Sequence, residues 1–193
     1  MRKIIYILLL FVTFSAAADE KGEKRLERIA NYYSSLGNYS VTFVVRAGNS
    51  EQRGVMQVEG KNTYLKLADV EVFVEDSLRY EVRSSAKEII VDKADVYEKE
   101  LLNSLNGFTH LTANYAVEEC EVEGRVAVRL TPKKSGETIY VITGADGASI
   151  VKLVYGAGEN LVETRVEKSE KTAQKMPRFS KERYVGFELI DFR

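Results

Sequence analysis

Tryptophan is absent from this sequence, and the chain holds only one cysteine, one histidine and two prolines in 193 residues. Each scarcity closes off a class of protein. A single thiol, Cys120, cannot form an internal disulfide, so the fold rests on its core rather than on cross-links. His110 has no second imidazole or neighbouring thiol with which to share a metal. Cys120 lies in the run Glu118-Glu119-Cys120-Glu121, where negative neighbours raise a thiol pKa instead of activating it. There is no Gly-x-Ser-x-Gly elbow, and no glycine-rich phosphate loop of the right spacing. Gly144 to Gly147 and Gly156 to Gly158 read as hairpin turns. The abundant carboxylates read as solubilising charge. The residues imply no enzyme, no metal and no cofactor.

An excess of charge of either sign is also missing. Lys and Arg number 28 against 29 Asp and Glu, and the signs alternate, as in Glu20-Lys21-Gly22-Glu23-Lys24-Arg25. Nucleic-acid binding needs a concentrated basic surface, which this pattern does not supply. With two prolines, Pro132 and Pro177, and no Ser- or Pro-rich linker, the chain from residue 19 to 193 reads as one domain.

The one long apolar run sits at the start. Arg2 and Lys3 precede the apolar stretch Ile4 to Phe14, and Ala16-Ala17-Ala18 offers small residues to a peptidase. That stretch is about half the roughly twenty residues a spanning helix needs. Residues 1–18 therefore read as a cleavable export signal, and no Cys near the cut offers a lipid anchor. Its removal takes away two positive charges and moves the formal charge from -1 to -3.

After the signal, Leu26, Ile29, Ala30 and Tyr33 recur at helical spacing, and Gly37 is a natural stop. From Tyr39 the period becomes two: Val41, Phe43 and Val45; Met56 and Val58; Leu65 and Leu67; Val70, Val72 and Val74; Leu78, Tyr80 and Val82; Ile89 and Val91. Tight turns at Gly48-Asn49 and Gly60-Lys61 separate these runs, as in an antiparallel meander with one wet face. Asp95 and Glu98 resemble a capping box for a central helix with the stripe Tyr97, Leu101, Leu105 and Phe108. Alternation then resumes from Tyr115 and includes a hairpin at Ala145-Asp146-Gly147. A polar stretch, Glu167 to Lys175, precedes a last strand at about Tyr184 to Phe192. Ten to twelve strands and two main helices predict a mainly β fold with α: an incomplete, half-open antiparallel β-barrel covered by an N-terminal helix and a central helical lid.

The final string, Tyr184-Val185-Gly186-Phe187-Glu188-Leu189-Ile190-Asp191-Phe192-Arg193, resembles the closing segment of the LolA family of periplasmic outer-membrane lipoprotein carriers, its Bacteroidetes-type branch especially. The helix running into Tyr39–Ala47, the Gly54-Val55-Met56-Gln57-Val58 run and the hairpin at Asp146-Gly147 agree in order. The family's Arg-Pro pair is absent here, where the chain reads Glu59-Gly60-Lys61-Asn62-Thr63-Tyr64. The resemblance implies a monomeric, soluble periplasmic protein that shelters the acyl chains of a lipoprotein or related lipid. It also implies loading by an inner-membrane ABC-type exporter and delivery to an outer-membrane acceptor. The candidate hydrophobic lining is Val41, Phe43, Val45, Met56, Val58, Leu65, Leu67, Val72 and Tyr80, with Leu26, Ile29, Tyr33, Leu101 and Leu105 as helical lid residues. Two alternatives stand: an interaction or sensing module of the same fold with a filled core, and a carrier of a different lipid such as a glycolipid.

Overall fold

The structure is a computed structural model that describes residues 19–94, 112–134, 136–156, 158 and 161–193. The expected export signal, His110 and the expected central helix with Leu101 and Leu105 lie outside the described residues. A long helix, α1 (Glu20–Leu36), leads into β1 (Tyr39–Ala47), β2 (Ser50–Glu59), β3 (Asn62–Leu67), β4 (Val70–Glu75), β5 (Leu78–Arg83) and β6 (Glu88–Lys93). The second half supplies β7 (Tyr115–Val122), β8 (Arg125–Pro132), β9 (Ile139–Thr143), β10 (Ile150–Tyr155), β11 (Val162–Lys171) and β12 (Glu188–Asp191).

These twelve strands join one sheet in the order β12-β6-β5-β4-β3-β2-β1-β11-β10-β9-β8-β7. Every pairing is antiparallel except the one at the β12 end, where β12 runs parallel to β6. This departs from the all-antiparallel expectation. The chain crosses a face of the sheet before β12, so it arrives at the β6 edge running the same way as β6. The sheet does not close, because β12 and β7 stand at its two ends.

Two-residue turns set the alternation. One such turn is Asp76-Ser77, with Asp76 left-handed at φ 53°, and another is Glu123-Gly124. Such turns match the twist of the strands they join. Each also switches which parity of residue faces the core, so Leu65 on β3 stands opposite Val72 on β4.

The sheet curls around α1. β1 and β7 are five strand positions apart, about 24 Å in a flat sheet. Yet Tyr39 and Val41 from β1, Val117 from β7 and Leu26, Ile29 and Tyr33 from α1 share one buried cluster. A helix only about 10 Å wide reaches both strands if the sheet is bent into a trough. The expected half-open barrel with an N-terminal helix is what the chain forms.

A second core lies on the convex side. Tyr64, Phe73, Val82, Ile89 and Val91 are covered there by Met176, Phe179, Tyr184 and Phe187, which belong to a strap running from β11 to β12. The convex face of β3–β6, expected to be wet, is instead covered by this strap. β11 also extends to Lys171, because Ser40, Thr42 and their neighbours on β1 pair with residues as far as Lys171. The polar stretch expected to begin at Glu167 is therefore partly strand. The last strand is shorter than expected, since Tyr184 to Phe187 form the end of the strap.

Candidate functional site

The concave face is where apolar side chains converge. Tyr39, Val41, Phe43 and Val58 are buried on it with Leu26, Ile29 and Tyr33 of α1. Val45, Met56, Leu65 and Leu67 are half-buried around that cluster, as are Ile139, Leu153 and Val166 on the far side of β1. Phe43 lies over Gly54, where an added Cβ would meet the ring at 2.5 Å, so the glycine is what lets the ring lie flat on β2. Val72 is half-buried on the same face through its pairing with Leu65.

Of the candidate lining residues, Val41, Phe43, Val45, Met56, Val58, Leu65, Leu67 and Val72 share this face. Tyr80 does not. Register places it opposite Phe73 on the convex side, where its ring stacks on Phe179 at 4.0 Å between centroids. It is a partner of the strap, not of the trough.

α1 is moored to the sheet along its whole length. Asp19 caps the helix by accepting from the Lys21 amide at 3.2 Å. Its own amide donates to the Val117 carbonyl at 3.1 Å, and its carboxylate accepts from the Glu119 amide at 3.1 Å. The bond from the Glu119 amide, with that from Lys21, holds the Asp19 carboxyl below its ordinary range. Asp19 thereby occupies hydrogen-bonding groups of the end strand β7, the kind of edge that otherwise recruits foreign strands. One turn on, Gly22 packs so closely that a Cβ there would stand 2.9 Å from the Glu118 backbone. Arg25 reaches both the Glu119 carboxylate at 3.0 Å and the Gly147 carbonyl at 3.1 Å. Near the C-terminal end, the Tyr33 hydroxyl accepts from the Ile150 amide at 3.3 Å and lies 3.3 Å from Ser169 Oγ. Burial raises the Tyr33 hydroxyl pKa, a shift these two bonds partly offset. Burial likewise drives the Tyr39 hydroxyl well above its ordinary value.

These moorings make α1 a wall of the trough. The part of the concave face between β1 and the β7–β9 strands is filled by its side chains, and the half-buried apolar row runs on along β2–β4. Beyond that row, β5 presents Arg79, Glu81 and Arg83 to the same face. The alternation pattern carries no warning of this. Alternation alone groups Leu78, Tyr80 and Val82 with the apolar side, and only the parity switch at Asp76-Ser77 reveals the true face.

Among the described residues, no His, Cys, Asp and Glu groups are arranged to hold a metal, and no helix is long and apolar enough to cross a membrane. No family model matches the chain, and no curated protein matches it in sequence. Solved structures do match in shape. An uncharacterized conserved protein from Thermus thermophilus aligns with a TM-score of 0.58 at 7% identity, covering 90% of this chain and 100% of that one. The lipoprotein LppX of Mycobacterium tuberculosis aligns at 0.45 and 14% identity, over 81% of this chain and 98% of its own. The Pseudomonas aeruginosa MucA/MucB complex contributes a chain that aligns at 0.41 and 17% identity, over 81% of this chain and 59% of that one. The first match shows that this strand arrangement, a trough-shaped open sheet, is shared across a whole solved protein. The other two superpose too loosely to define more.

Proposed function

We propose that the chain is a periplasmic carrier that shelters the acyl chains of a lipoprotein or related lipid between the inner and outer membranes. The observation that carries this reading is the continuous half-buried apolar row Val45, Met56, Leu65, Leu67 and Val72 beside a helix that fills only part of the trough. Each methylene withdrawn from water contributes about 0.8 kcal/mol, so one long chain supplies on the order of ten kcal/mol. A carrier that kept all of that would never unload. Partial exposure of the row means that cargo displaces little protein and retains a route out. The sequence resemblance to lipoprotein carriers supports an ABC-type exporter as donor and an outer-membrane protein as acceptor.

The filled region between α1 and β7–β9 favours a second reading, an interaction module with a solid core. Native mass spectrometry of protein gently purified from periplasm, with lipid analysis of what co-purifies, separates the two. Bound acyl lipid or lipoprotein is the expected result. Protein that emerges empty and also ignores fluorescent fatty acids would leave the interaction module standing.

A further inference from the structure

The two ends of the sheet are finished differently. At the β7 end, Asp19 takes the Val117 carbonyl and the Glu119 amide, so the chain itself plugs that edge. At the other end stands β12. The amides of Glu188 and Phe192 donate to the Lys87 and Val91 carbonyls, each at 2.8 Å. Alternation along the strand then turns the amides and carbonyls of Leu189 and Asp191 away from β6. Among the described residues, nothing is bonded to these outward groups. Exposed edges are commonly blunted by lysine, proline or a bulge. β12 has none of these, and only its length of four residues limits pairing. Leu189 is 41% exposed on it, and Phe192, just past its end, 64%.

This edge is self-complementary in one register. Two copies laid antiparallel about Ile190 bring outward residue against outward residue. Leu189 faces the partner's Asp191, and Asp191 faces the partner's Leu189. Each such pair exchanges both main-chain hydrogen bonds. Ile190 meets the partner's Ile190, and Glu188 meets the partner's Phe192. No like charges stand directly opposite, and each Asp191 carboxylate is already held by its own Arg193, whose Nε donates at 2.9 Å. Other registers fail. Centring on Leu189 would need the Phe187 amide, which is spent on the Tyr184 carbonyl at 3.2 Å. Centring on Asp191 would set two carboxylates face to face.

We infer that β12 is a self-association edge, on which a second copy of this chain pairs antiparallel about Ile190 to form a two-fold dimer. The two-fold axis is perpendicular to the sheet, so both troughs open to the same side. This departs from the monomer that the sequence resemblance implies, and it stands whether or not the trough carries lipid. A strand so short buries little surface, so the dimer is weak, with a Kd of about 10–100 µM.

Sedimentation velocity of the mature protein from about 1 µM to about 500 µM should show monomer passing to dimer and nothing larger. Over that range, hydrogen exchange followed by NMR should show the Leu189 and Asp191 amides gaining about tenfold protection or more. Glu188 and Ile190, whose amides are turned toward β6, should change little. Leu189→Asp sets a carboxylate opposite the partner's Asp191 and should weaken the dimer about tenfold. Adding Asp191→Lys makes both contacts opposite in charge and should recover most of that loss. A protein still monomeric at the highest concentration overturns the inference. So does a dimer that protects other amides, an assembly that grows past the dimer by joining β12 to β7, or a double variant without recovery. If Leu189→Asp fails to fold by circular dichroism, the exchange pattern of the unaltered protein decides.

Discussion

Removing the hydroxyl of Tyr184 should loosen the C-terminal strap by a predictable amount. Glu71 is buried beneath that strap at 8% exposure. Its two oxygens each accept from a tyrosine: Tyr64 at 2.6 Å and Tyr184 at 3.0 Å. Burial, followed by the Glu71 charge and hydrogen bond, pushes the Tyr184 hydroxyl up to about 12, so it stays a donor throughout the neutral range. Tyr184→Phe keeps the ring between Phe179 and Phe187 but leaves one buried carboxylate oxygen without its donor. A hydrogen bond to a charged group contributes about 1.5–3 kcal/mol. In a domain of this size that corresponds to a fall in Tm of roughly 4–8 °C. Urea and thermal unfolding, followed by far-ultraviolet circular dichroism, measure it directly. Replacing Tyr64 and Tyr184 by Phe together with Glu71→Leu should be less destabilising than the two tyrosine changes alone, since no buried carboxylate is left stranded. A Tyr184→Phe protein within about 0.5 kcal/mol of the parent would refute the view that Glu71 anchors the strap.

Two further outcomes follow from the moorings. Gly22→Ala should destabilise by about 1–3 kcal/mol despite alanine's better helix propensity, because its methyl meets unyielding Glu118 backbone. Faster hydrogen exchange at the Glu119 amide would locate the damage at the α1–β7 contact. Acid should release the other end of the strap. The Met176 amide and Arg178 both donate to Glu59 and hold its carboxyl below the ordinary 4.5. A depressed carboxyl contributes fully above its unfolded value and loses that contribution as pH falls through the lower folded value. Limited proteolysis between residues 172 and 187 should therefore stay constant from pH 7 to about 5 and rise below about 4.

Much of the trough was legible because its signals are local. Leu26, Ile29 and Tyr33 mark one helical face, and Val41, Phe43, Val45, Met56, Val58, Leu65, Leu67 and Val72 alternate cleanly. The strap was illegible for a physical reason. Met176, Phe179, Tyr184 and Phe187 follow no fixed period, since an irregular segment matches its anchors one at a time, here the carboxylates of Glu59, Glu71 and Glu75. Those glutamates read as wet surface until something is known to lie over them. The end of β11 was hidden in the same way, because Lys168 and Glu170 point outward and Ser169 is the inward residue that meets Tyr33. Tyr80 was misplaced because its face depends on the length of a turn, and turn length shifts parity without altering composition.

The pairing of β1 with both β2 and β11 has a consequence for how the chain is made. The first described strand sits mid-sheet, and one of its neighbours follows more than a hundred residues later in the chain. Until Val162 to Lys171 emerge, β1 is an open edge flanked by Tyr39, Val41 and Phe43, a surface that invites pairing with other chains. Truncated products ending before that point should aggregate, whereas those that retain β11 and lose only the last strand should not. The chain thus withholds its central seam until nearly all of the sheet is present.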